Sequence, residues 1–188
     1  MKKRQLLLMG VSVLFLAACS ANDQSMTHQM KDMTQQINYI QVNEASLQKD
    51  FEADLKDTED LSNMTDQKSR VQKNLKKRQD AHAKAKEDLS QLHDETEQKK
   101  TKDSTFHSTS RDTLKTIEGY LTEYEQVLKQ ETAYYQLIAG DKASTADFED
   151  QMAEINQTHQ KAQDQLKKVE GKLQNLSEAI MKEEGKDA

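Results

Sequence analysis

The chain has 188 residues and a formal charge of −6, with 34% hydrophobic and 32% charged residues, five glycines, one cysteine, no proline and no tryptophan. Such a composition excludes most α/β and all-β designs, which need Gly and Pro turns and β-branched strands, and it fits long helices or coiled coils. Low hydrophobicity with high charge is also the signature of disorder, so apolar periodicity has to decide.

At the N-terminus, Lys2, Lys3 and Arg4 precede an apolar run from Leu6 to Leu16, then Leu16-Ala17-Ala18-Cys19. The run has the length of a secretion-signal core and is too short for a bilayer, which needs about twenty residues. An ordinary cleavage site wants small residues at −3 and −1; a cut before Cys19 would put Leu16 at −3, and a cut after Cys19 would satisfy the rule only weakly. Leu16–Cys19 instead resembles the lipobox of bacterial lipoproteins, which implies lipid on the Cys19 sulfur and a mature chain that starts there. Residues 1–18 are then a signal peptide and 19–28 a lipidated N-terminus and linker. Loss of residues 1–18, with three basic residues, moves the charge from −6 to −9, and lipid on Cys19 leaves no cysteine for a disulfide. Two acyl chains would hold the protein stably on the outer face of the membrane.

Residues 29–184 carry the helical pattern. Met33, Ile37, Ile40, Leu47 and Phe51 form a first seam, with Glu44 filling one slot, and predict a helix over about 29–61. A second seam, Met64, Lys68, Val71, Leu75, Arg78, His82, Ala85, Leu89 and Leu92, has polar residues at several core slots. The third runs Phe106, Ser110, Thr113, Ile117, Tyr120, Tyr124 and Val127, widened by Leu114, Leu121 and Leu128. These two lie within 65–139, where Thr101, Ser104, Thr105, Ser108, Thr109 and Ser110 are weak helix formers without Gly or Pro. A break near 101–110 gives a four-helix bundle; a continuous helix gives two coiled-coil hairpins sharing it. The polarity of the seams slightly favours the break, because a bundle buries more apolar surface. The fourth seam, Phe148 to Ile180, predicts a helix over 145–183, entered by Gly140-Asp141 and a capping box at Ser144 and Asp147. Cap-forming residues at Ser62–Asp66 predict another turn.

The fold class expected is therefore all-α: an elongated up-and-down bundle or antiparallel coiled coil of three to four long helices. Facing residues in an antiparallel hairpin keep a constant sum of residue numbers. A sum of 283 pairs apolar with apolar between the last two seams, and 126 does so for the first two; a shift by one heptad would also match, so turn length and not apolar pattern alone fixes the register. Asp50, Glu52, Asp54, Asp57, Glu59 and Asp60 then lie opposite Lys68, Arg70, Lys73, Lys76, Lys77 and Arg78. Opposite charges beside a seam select the partner more than they stabilise it.

No cofactor, metal or catalytic site is expected. The histidines at 28, 82, 93, 107 and 159 lack ligand spacing, and His82 and His159 on seams read as packed residues. Carboxylates on heptad surfaces are ordinary solvated groups, and neither HExxH nor phosphate-loop or nucleophile-elbow motifs occur. An exported acidic chain does not suit nucleic acid. Surface contact is expected at Lys84 and Lys86, which the acidic first helix leaves less explained. One of the adjacent Tyr134 and Tyr135 is a further candidate, since they cannot both face one seam.

The chain resembles the cell-wall-binding lipoprotein family of Gram-positive bacteria, the YkyA type. The resemblance rests on Cys19, on Gln48-Lys49-Asp50-Phe51-Glu52, and on Tyr120 and Tyr124 ahead of Glu131-Thr132-Ala133-Tyr134-Tyr135-Gln136-Leu137. It continues through Asp147-Phe148-Glu149-Asp150-Gln151 and Ile155-Asn156. It implies a non-enzymatic helical bundle outside the membrane with peptidoglycan or wall polymer as partner, and it supplies no catalytic residue. The alternative expectation is an envelope protein-interaction module, an adaptor or exclusion lipoprotein.

Overall fold

A computed structural model of the chain describes residues 25–57, 64–99, 104–140 and 145–184. Four helices account for nearly all of them: α1 (Ser25–Asp57), α2 (Arg70–Gln98), α3 (Ser104–Ile138) and α4 (Thr145–Glu184). At 1.5 Å per residue they are about 44 to 60 Å long. Helix α1 packs along α2, α3 along α4, and α2 against α3, while α1 and α4 touch over less of their length. This is an all-α up-and-down bundle.

Helix α1 forms because Met26, Met30, Met33, Ile37 and Ile40 step by fours and threes onto one stripe, each 5% exposed or less. Met26 and Met30 carry that stripe one turn upstream, so the helix begins at Ser25 inside the segment expected to be a linker. It runs to Asp57; the expected residues 58–61 lie outside the described ones.

Helix α2 starts at Arg70, later than the expected 65, because Asp66–Ser69 fold into a turn. The Asp66 carbonyl accepts from Ser69 N at 2.9 Å, and the Asp66 carboxylate accepts from Lys68 N at 2.7 Å. Ser69 is the N-cap, its hydroxyl accepting from Gln72 N at 3.1 Å. Lys68 is therefore exposed in the turn and holds no seam position. Met64 is buried before it, and its carbonyl accepts from the Gln72 side chain at 2.8 Å.

The helix does not continue from 65 to 139. It ends at Gln98, where Lys99 turns extended with its N–H on the Glu95 carbonyl at 3.1 Å. Most of the serine- and threonine-rich stretch belongs to α3, where Phe106 and Ser110 are buried. The break lets α3 fold back on α2 and joins the α1–α2 and α3–α4 pairs, which pack most extensively; each large aliphatic or aromatic side chain buried in the bundle contributes about 1.5–3 kcal/mol.

Helix α3 ends at Ile138, and Gly140 N–H closes the turn on the Leu137 carbonyl at 3.1 Å. Gly140 closes this turn without a positive φ. The cap at Ser144 lies outside the described residues.

The registers are near those expected. Lys172 bonds Asp112, and an added Cβ on Gly119 would meet the Gln165 side chain, each pair of numbers summing to 284 against 283. Between α1 and α2, Asn74 bonds Asp50 and Gln29 bonds Glu95, both summing to 124 against 126.

Candidate functional site

The most unusual chemistry lies inside the bundle, toward the end where α1 gives way to α2 and α3 to α4. Arg78 of α2 occupies a seam position between Leu75 and His82 and has no exposed surface. Such a guanidinium is tolerated only if a carboxylate and further acceptors replace water. Glu131 of α3 supplies that carboxylate as a fork: Nη1 donates to Oε1 at 3.0 Å, and Nη2 donates to Oε2. Nη1 also reaches the Tyr124 hydroxyl at 3.1 Å, and Nε donates to the side-chain Oδ1 of Asn74 at 2.8 Å.

Two relays carry the cluster to the outer helices. The Asn74 amide donates to the Asn43 carbonyl at 2.7 Å, Ser46 Oγ at 2.9 Å and Asp50 Oδ2 at 2.8 Å, all on α1. From α4, His159 Nδ1 bonds Glu44 Oε1 at 2.7 Å and Nε2 bonds Glu131 Oε1 at 3.0 Å. Since both partners are carboxylates, both ring nitrogens donate, which requires the imidazolium. All four helices thus meet in one polar cluster.

The electrostatics agree with this assignment. Burial alone would lower the His159 pKa, but its bonds to Glu131 and Glu44 outweigh burial and bring it to about 9. Burial alone would raise Glu131, and the Arg78 charge with His159 overcomes it, holding the carboxyl at about 2. Both groups are charged near neutral pH and far from titrating there. That is the condition of a structural ion cluster; a general acid or base works best with a pKa near the operating pH.

His82 behaves differently. Its burial lowers its pKa despite the Leu121 carbonyl, which accepts from Nε2 at 2.8 Å. It is a packed neutral imidazole beside a shallow groove of about 640 Å³ between α2 and α3, lined also by Gln79, Ala83, Lys86, Glu125, Leu128 and Lys129. Lys86 and Lys129 share Glu125 there, at 3.1 and 2.7 Å, and their bonds bring its pKa to about 2.

The residues singled out in the sequence fall in separate places. Cys19 lies outside the described residues. Tyr135 is not a surface anchor: it is 4% exposed and belongs to the core, because α3 turns that face toward its neighbours. Tyr134 is half-buried against the same core, its ring 6.0 Å from that of Tyr135 in an edge contact. Lys84 is exposed, and Lys86 is exposed but tied to Glu125. No group of three or more His, Cys, Asp or Glu among the described residues is arranged to hold a metal ion. No described helix is long and apolar enough to cross a membrane.

Spacing puts Arg78, Tyr124, His159 and Glu44 on seams but does not join them into a cluster, and it gives neither Glu131 nor Asn74 a seam position. The available signal was an arginine at a core slot, which calls for a buried carboxylate on a neighbouring helix. Comparison of the chain with protein-family models, with curated proteins and with solved structures finds no match.

Proposed function

We propose that the protein is a non-enzymatic surface lipoprotein, anchored through acylated Cys19 on the outer face of a Gram-positive cytoplasmic membrane, whose bundle contacts cell-wall material. The observation that carries this reading is the basic, apolar and Leu-Ala-Ala-Cys succession at residues 2–19. The bundle adds to it, since α1 begins only six positions after Cys19. Six residues reach at most about 20 Å, so the helices, about 44 to 60 Å long, would start close to the headgroups and project into the wall zone. The resemblance to wall-binding lipoproteins supports the same reading.

Purified sacculi test the wall contact. The protein is expected to be retained on them more strongly than an unrelated acidic helical protein, and equal retention would count against it. A second reading, an envelope protein-interaction module, is favoured by Tyr39 and Val42. They stand 45% and 55% exposed and three residues apart on α1. A photo-crosslinker at Tyr39 separates the two: discrete protein adducts support the second reading, and glycan-linked material supports the first.

A further inference from the structure

From Lys68 to Lys86 the chain carries eight basic side chains and one acidic one, Asp80, in a protein whose formal charge is −6. The acidic residues of α1 were expected to neutralise this stretch. They take little of it: Arg70 pairs with Asp54 and Asp57. Arg78 turns inward to Glu131, Lys76 pairs with Asp80 in its own helix, and Lys86 pairs with Glu125 of α3. Lys73, Lys77 and Lys84 are exposed, and none of them makes an ion pair among the described residues.

Those three lysines have a common direction. Steps of four and seven residues at 100° each keep them within about 40° of one another, on the side of α2 away from buried Arg78, Ala85 and Leu89. They form a row about 17 Å long. Further along the outward side of the same helix the sign reverses, with Glu87 and Asp94 both exposed. A flat anionic bilayer laid along α2 would meet these acids as well as the lysines; a flexible chain can follow the basic half alone. Lysines in a row that outnumber the acids beside them, Asp80 and Asp88, raise the local positive potential and draw in a polyanion.

We propose that the outward face of α2 from Lys73 to Lys84 binds a linear, phosphate-bearing polyanion along the helix axis. This deepens the wall-contact reading by naming its ligand chemistry, and rests on that reading only for where such a polymer is met. Asp80, in the middle of the row, opposes the ligand and limits the affinity.

The test uses the full chain in neutral detergent and fluorescently labelled inorganic polyphosphate at low salt, read by anisotropy. Replacing Lys73, Lys77 and Lys84 together by Gln is expected to weaken binding by roughly tenfold to a hundredfold, on the scale of three lost charge contacts. Replacing Lys161, Lys167 and Lys168 of α4 by Gln removes the same charge from another exposed face and should change binding less than about threefold. Asp80→Asn should tighten it, a direction that damage to the fold would not produce. No binding by the unaltered chain, equal weakening by the two triple variants, or an α2 effect confined to phosphatidylglycerol vesicles overturns the proposal. Cys19→Ser should leave this assay unchanged, so a failure of anchoring and a failure of polyanion binding are read apart.

Discussion

A guanidinium without exposed surface raises the question of what happens when its partner is removed. Breaking a buried ion pair from one side typically costs about 3–5 kcal/mol, because the remaining charge is stranded. Arg78→Met should therefore destabilise the bundle by about that amount in urea unfolding, while joining it with Glu131→Leu should recover at least half. If the double variant were as unstable as the sum of its parts, the pair would not be coupled. Titration adds a second test. His159 is raised to about 9, above its ordinary 6.5, so its contribution is full below pH 6.5 and is lost as pH rises through 9. Glu131 is lowered to about 2, so its contribution is present above its ordinary 4.5 and is lost as pH falls through 2. Between pH 7 and 9.5 the unaltered protein should lose stability on the order of 2 kcal/mol, and His159→Asn should show a flatter profile over that interval. Arg78 and His159 could be placed on seams from spacing alone. Their partner Glu131 lies 53 residues from Arg78 and 28 from His159, so local pattern could not connect them.

At the scale of the elements, helix ends are decided by hydrogen bonds that apolar spacing does not encode. Asp54 of α1 is 6% exposed and accepts from the first two backbone N–H groups of α2, Arg70 at 3.0 Å and Val71 at 2.9 Å. These donors have no partner within their helix, and a carboxylate there also complements the helix dipole. Asp54→Ala should cost about 1 kcal/mol of stability in thermal or urea unfolding, within the range for lost caps. It should also speed hydrogen exchange at Arg70 and Val71. The repeat of Val71, Leu75, His82, Ala85, Leu89 and Leu92 made α2 legible. Its start was displaced because Lys68 continued the numerical pattern while the Asp66–Ser69 turn held it outside the helix. The stop at Gln98 had only weak helix formers to announce it, without a glycine or proline.

For the whole molecule, the all-α antiparallel bundle was legible in the seams, but its register was not fixed by them, because a shift of one heptad also sets apolar residues against apolar ones and only the turns decide. Charge was less informative. The opposed acidic and basic runs suggested one neutralised hairpin, yet Arg70 alone joins α1 and α2 by ion pairs among the described residues. Exposed charges contribute about 0–1 kcal/mol each, too little to dictate where long side chains rest. The account of the whole protein depends on Cys19, six positions before the first helix. Fractionation of Gram-positive cells expressing the intact chain or Cys19→Ser tests it most directly. The intact protein should sediment with membranes and be released by detergent, and Cys19→Ser should shift to the soluble fraction or medium with its helical circular dichroism preserved. A folded Cys19→Ser chain that stayed with the membrane as fully as the intact one would contradict the lipid-anchored reading.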